Sequence, residues 1–363
     1  MVRAPDPGIV GLMFVALRDL RAARGRFALI TSVVTLVALL VSFLSGLTAG
    51  LAHQNISAIE RIDADAVVFA DTGAAASFDT SALTGQQIAT WQQSGATVEP
   101  IGISRARATP ATGSAAPSQV ALFGTDGTAF GNRTATDPGA VILSAGAAAA
   151  LGASPGDEVD LGGRGFTVSA VRGDEWYSHT PVVWMTLSDW QSVSPRSGAA
   201  TVLAVSGVPD RDAVDDAAAT VSATPADALE AIGSYQAENG SLTLMTLLLL
   251  TISALVIGAF FTVWTIQRLP DIATLKALGA TSAALVRDAV AQAAMVLVAG
   301  VTAGLGITVA SASLMGDAVP FVIAPATTLL PAGALILLGL GGAAFALRFL
   351  FTTDPLTALG AAR

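Results

Sequence analysis

The chain has 363 residues, of which 53% are hydrophobic and only 12% charged, and its formal net charge at pH 7 is −9. It contains no cysteine, which removes disulfides, thiolate metal sites and cysteine nucleophiles together. A nucleic-acid partner is also excluded by the charge balance, because phosphate backbones are held by clustered Lys and Arg, and most of the acids lie in one long segment.

Residues 1–26 carry Arg3, Arg18, Arg21, Arg24 and Arg26 against Asp6 and Asp19 and read as an amphipathic N-terminal segment. A charge-free apolar run follows over 27–52, and three more occupy 239–267, 289–316 and 318–347. Each exceeds the roughly 20 apolar residues that carry a helix across about 30 Å of hydrocarbon. The first run is too long for a secretory signal and starts too far into the chain, so it reads as a retained helix. By the positive-inside rule, 1–26, the loop 268–288 with Arg268, Lys276 and Arg287, and the tail 348–363 with Arg348 and Arg363 are cytoplasmic. The expectation is a multi-pass protein of the cell membrane with both termini inside.

Residues 53–238 then lie outside, with 21 acids against eight arginines for a net of −13. Alternation typical of strands appears at 66–70, 98–107, 119–124 and 202–206. The run 144–171 reads as a short helix, a Pro-Gly turn and two strands around Gly162-Gly163-Arg164-Gly165. Helical character is expected at 210–222 and 226–232. The predicted fold is an integral membrane α-helical protein of four transmembrane helices, with a large α+β extracytoplasmic domain and membrane-proximal stalks between helices 1 and 2.

Catalytic chemistry finds no foothold. Gly162 to Gly165 lacks the Lys-Ser/Thr of a phosphate-binding loop, and Lys276 is followed by Ala277. Neither His53 nor His179 has metal-ligand spacing, so no catalytic residue, resident metal or intrinsic cofactor is expected. The four spans hold no acid, which leaves ion-gradient coupling without its usual residues. If the chain performs energised work, a partner ATPase is then the better source of its energy.

The stretch DIATLKALGATSAALVRD at 271–288 contains the chain's one lysine. Its order, with Asp271, Leu275, Lys276, Ala277, Leu278, Gly279, Ala280 and Thr281, resembles the signature loop of permeases in the MacB and FtsX superfamily. There the loop follows the second of four membrane helices and touches the nucleotide-binding subunit. The resemblance implies two copies of an ABC ATPase subunit carrying Mg-ATP, a second copy of the permease, and a surrounding lipid bilayer. The run 140–171 is similar to the family's external core domain. The opening ALRDLRAARGRFALI at 16–30 resembles the HrtB and DevC branch, whose HrtB members export haem; FtsX-like members transmit force to cell-wall hydrolases and MacB-like members serve other efflux.

Two sets of residues complete the reading. Ser42, Gly46 and Gly50 fall four apart, a small-residue stripe suited to a dimer interface, and Gly300 and Gly304 repeat the pattern. Gly46, His53 and Glu60 are spaced by seven and would share a face if helix 1 continued as a stalk; Tyr235, Glu238 and Met245 approach from helix 2. Such side chains can ligate haem iron or line its pocket, which makes Glu60, Tyr235, His53 and Met245 candidate haem contacts. They also suit plain anchors at the membrane interface.

Overall fold

The structure is a computed structural model that describes residues 24–352, leaving aside 111–115, 132–134, 136, 195–197, 208–209, 269–273, 275, 277, 280, 317–318 and the side chains of 24, 26 and 347–352. The chain divides into two compact units, Gly50–Ser241 and a second formed by Met1–Ala49 with Leu242–Arg363.

In chain order the elements are α1 (Arg24–Ile56), a 3-10 turn (Ile59–Arg61), β1 (Ala66–Ala70), α2 (Gly85–Gln93), β2 (Thr97–Pro110), β3 (Ser118–Gly124) and β4 (Ala140–Leu143). Next come α3 (Ala145–Leu151), β5 (Glu158–Leu161), β6 (Arg164–Val171), β7 (Trp176–Tyr177), β8 (Thr180–Met185), α4 (Leu187–Val193) and β9 (Val202–Ser206). The remainder are α5 (Arg211–Ala218), β10 (Thr220–Ala223), α6 (Pro225–Ala228), α7 (Gly233–Gln267), α8 (Ser282–Met315) and α9 (Pro325–Thr352).

In the unit Gly50–Ser241, strands run in the order β10-β1-β9-β2-β3-β8-β4-β6-β5, and β5 also pairs with the far end of β2. The path β2-β3-β8-β4-β6-β5 therefore closes on itself, while β10, β1, β9 and the start of β2 form an antiparallel sheet. Side-chain alternation sorts the faces. On β3, Val120 and Leu122 enter a core with Leu151, Phe166 and Trp190. Ala121 and Phe123 enter another with Phe69, Phe130, Tyr177 and Trp184. Both faces of β3 are buried, which requires a long apolar run and explains Val-Ala-Leu-Phe.

The sequence expectation of a helix over 210–222 is corrected. The helix stops at Ala218, Ala219 takes φ +51, and Thr220–Ala223 pairs antiparallel with β1. Asp215 holds the turn by accepting from Thr220 Oγ1 at 2.7 Å and from the Ser222 amide at 2.9 Å. Pairing with β1 outweighs the local helical pattern, since the strand buries Thr220 and satisfies backbone groups. The glycine turn is tighter than the sequence suggests: Gly162 and Gly163, both at positive φ, make a two-residue hairpin, and Arg164 already pairs with Leu161.

In the second unit, four helices are long and apolar enough to cross a membrane, with stretches Phe27–Ile56, Gly233–Gln267, Ser282–Met315 and Pro325–Ala346. Two of them, α1 and α7, continue into the unit Gly50–Ser241. The shared core takes Phe27, Ile30, Val34, Ala38 and Val41 from α1, Ile257, Phe261 and Trp264 from α7, Ala293, Val296, Leu297 and Val301 from α8, and Leu335 from α9. Lipid tails are as apolar as these side chains, so close packing rather than water exclusion must hold the helices. Glycines supply it. A methyl group on Gly304 would stand 2.7 Å from the Thr35 carbonyl oxygen, and one on Gly342 would stand 3.0 Å from the Gly258 Cα.

Candidate functional site

One end of the unit Gly50–Ser241 gathers polar residues from three distant parts of the chain. Helix α1 ends at Ile56, which leaves carbonyls of its last turn without intrahelical partners. The hairpin β7–β8 supplies donors. Its tip residues Ser178 and His179 have φ of +48 and +62, and a two-residue turn with both residues left-handed normally calls for Asn-Gly. Non-glycine residues there cost roughly 1–2 kcal/mol each. That cost is offset by the tip amides: Ser178 N–H donates to the Asn55 carbonyl and His179 N–H to the Gln54 carbonyl, both at 2.9 Å.

Side chains then join the first turns of α7. Ser234 Oγ donates to Asn55 Oδ1 at 2.6 Å and meets Ser178 Oγ at 2.8 Å. Asn55 Nδ2 donates to Glu238 Oε2 at 3.3 Å, and His179 Nε2 lies 3.1 Å from both Glu238 oxygens. Asn55 is buried, so its amide is committed to this network. The arrangement ties α1, the hairpin and α7 together and contains no nucleophile set against a base. Among the described residues no group of three or more His, Cys, Asp or Glu could hold a metal ion.

Each of the predicted haem contacts has its own surroundings. His53 Nε2 is 2.8 Å from the Asp174 carbonyl and 3.5 Å from its carboxylate. Tyr235 is half-buried against the core that contains Ile56 and Ile232. Glu60 is exposed on the 3-10 turn. Helix α1 stops at Ile56, so His53 lies on α1 and Glu60 on the 3-10 turn that follows. Met245 belongs to the other unit and is exposed on α7. Sequence reasoning missed Asn55, Ser178, His179 and Ser234. Asn55 and Glu238 lie 183 positions apart, and no local pattern marks such a pair.

In the segment after α7, Asp271, Leu275, Ala277 and Ala280 lie outside the described residues. Lys276, Leu278 and Gly279 are exposed, Leu278 to 80%. The Leu278 amide donates to the Thr274 carbonyl at 3.0 Å, Gly279 ends that turn at φ +97, and the Thr281 hydroxyl caps α8 by accepting from Ala284 N–H. A cationic and an aliphatic side chain thus stand in solvent between two long helices.

The small-residue stripes are used within one chain. Ser42, Gly46 and Gly50 are all buried, and a methyl group on Gly46 would stand 2.2 Å from the Phe321 ring. Val322 N–H also donates to the Gly46 carbonyl at 3.2 Å. Gly300 and Gly304 face Thr31, Val34, Thr35 and Ala38 of α1. Ser42, Gly46 and Gly50, the stripe expected at a dimer interface, are thus buried within the chain's own packing.

Two family models match. The MacB-like periplasmic core domain matches residues 27–231, and the FtsX-like permease C-terminal domain matches residues 243–355. Curated relatives include the putative hemin transport system permease protein HrtB of Staphylococcus haemolyticus, 23% identical over 350 residues, with 96% of this chain and 99% of that protein covered. The protein of the same name from Staphylococcus epidermidis is 26% identical over 361 residues, with the same shares covered. Among solved structures, the periplasmic region of MacB from Actinobacillus actinomycetemcomitans is 13% identical at a TM-score of 0.33, covering 50% of this chain and 96% of that one. The extracellular domain of the ABC-type transporter YknZ from Gram-positive bacteria is 16% identical at a TM-score of 0.31, covering 46% and 93%. Four membrane-length helices, an α+β domain between the first and second, and a matching model on each side of that junction place the chain in the MacB/FtsX family of ABC-transporter permeases.

Proposed function

We propose that this permease exports haem across a bacterial cell membrane, driven by two copies of a separate ATPase subunit that bind Mg-ATP. Two copies of the chain form the membrane part, with both termini cytoplasmic and Gly50–Ser241 outside. The observation that carries the haem reading is the likeness over nearly the whole length, 96% of this chain against 99% of relatives named as putative hemin permeases. Segment 268–288 docks on the ATPase, supported by the exposed Lys276 and Leu278 beside Gly279.

Glu60 and Tyr235 are the proposed haem contacts, with His53 next. Glu60 is exposed and, among the described residues, makes no hydrogen bond or ion pair, so its carboxylate is available. Tyr235 keeps an accessible part while its ring rests on the core. A carboxylate or phenolate favours ferric iron. Haemin titrated into the purified permease should give a saturable Soret shift that weakens at least threefold in Glu60→Ala and Tyr235→Phe. Partitioning that never saturates would remove the haem reading and leave force transmission to an external partner, or another efflux substrate, as the function.

A further inference from the structure

The membrane unit contains one fully buried amide among its described residues, Gln292 on α8, with no exposed surface. An amide in a helix bundle is costly unless both ends are bonded. Ser253 and Thr308, also buried there, bond the carbonyls of their own helices one turn back, at 2.6 and 3.0 Å. Gln292 instead bonds ionised groups. Its Oε1 accepts from Arg268 Nη1, and its Nε2 donates to Asp288 Oδ2 at 2.9 Å.

The positions of these partners matter. Arg268 is the residue after α7, and its amide still donates to the Trp264 carbonyl at 3.2 Å. Asp288 lies one turn before Gln292, in the early part of α8, whose cap is Thr281. The residue that follows α7 is thus hydrogen-bonded to a side chain inside α8, which is held in turn by Asp288 of the same helix. This link reaches a third helix as well. The Arg268 guanidinium sits 5.2 Å from the centroid of the Trp264 ring, and Trp264 meets Phe27 of α1 edge-on at 5.8 Å.

We infer that Gln292 is a positioning residue that makes the end of α7 and the start of α8 move as one body. A displacement imposed on segment 269–281 is then shared by both helices and passed through Trp264 to α1. Without the link, the same displacement would be absorbed by bending at one helix end. This inference rests on the reading that 268–288 docks on the ATPase. It adds which buried group converts docking into helix movement.

The test uses the full permease assembled with its ATPase in nanodiscs. An environment-sensitive dye sits at Leu314→Cys, since the chain has no cysteine and Leu314, near the far end of α8, is 88% exposed. In the wild-type background, ATP with vanadate should change the dye emission. Gln292→Met, of similar volume, should assemble with unchanged yield and hydrolyse ATP, yet lose at least two-thirds of that change. Arg268→Met should behave alike, which covers the case in which the first variant fails to assemble. Gln292→Glu combined with Asp288→Asn exchanges donor and acceptor while keeping both bonds and the net charge, and should restore the response. A wild-type dye response in either break variant, or no recovery in the exchange, overturns the inference. Gly279→Trp separates the two readings: if it leaves complex yield and ATP hydrolysis unchanged, docking at 268–288 is itself wrong. If Gly279→Trp disrupts the complex while Gln292→Met responds normally, only the role of Gln292 falls.

Discussion

The amide of Ser178 donates to the carbonyl of Asn55 at 2.9 Å, so the tip of a β-hairpin closes the last turn of the first membrane helix. The Asn55 side chain extends the contact to Ser234 and Glu238 on the second. Movement of either helix end must therefore be felt by the hairpin and by the strands it belongs to.

Asn55→Ala should lower the stability of the full chain by about 1–3 kcal/mol, because it leaves Ser234 and Glu238 without the buried partner they share. Gln54→Ala should change little, since only the backbone carbonyl of Gln54 bonds the hairpin. Apparent Tm in detergent, read side by side, checks the pair. Equal values for the two variants would show that the Asn55 amide contributes nothing.

Gly304 and Gly306 are two positions apart on α8 with opposite surroundings. A methyl group on Gly304 meets backbone atoms of Thr35 and Leu39, while Gly306 has nothing within 4 Å. Backbone cannot swing aside, so Gly304→Ala should cost about 1–3 kcal/mol by overpacking. Gly306→Ala should be neutral or stabilising, as alanine is the better helix former. Unfolding in mixed detergent micelles measures both, and a tolerant Gly304 would argue against close packing of α8 on α1.

Trp190 is buried and donates through Nε1 to Ser104 Oγ at 3.0 Å. Its ring lies over two glycines: methyl groups on Gly102 and Gly124 would stand 2.1 and 2.3 Å from Trp190 atoms. Trp190→Ala should destabilise the unit Gly50–Ser241 by about 3–5 kcal/mol, and Gly102→Ala should also destabilise by forcing the indole out. Protease sensitivity of the full chain is the readout. Resistance equal to wild type in both variants would contradict this packing.

Topology can be read without removing any native thiol. Single cysteines at Ser118 and Thr281 should react differently in intact cells, with an impermeant maleimide reaching Ser118→Cys alone. Labelling of Thr281→Cys without Ser118→Cys would invert the proposed orientation.

Much of the external fold is legible in the sequence because strand faces repeat every two residues. The expected strand at 66–70 is β1, and that at 202–206 is β9. The run 144–171 folds as helix, turn and hairpin for the same local reason, with Gly156, Gly162 and Gly163 at the positive φ their turns demand. Residues 220–222 were not legible as strand. Their pattern continues the helix before them, and only β1, about 150 residues earlier, offers the hydrogen bonds that turn them into β10.

By itself the sequence determined which segments can enter a bilayer and which cannot, since uninterrupted apolar length is a local property with a direct energetic meaning. It also determined that small residues bring membrane helices close, but not which helices. The tertiary structure sets Gly46 against Phe321 and Gly304 against Thr35. The partners of Asn55, His179 and Gln292 were decided in the same way. A polar side chain advertises its need for a hydrogen bond wherever it stands, whereas the identity of the donor or acceptor depends on which distant segment the folded chain carries past it.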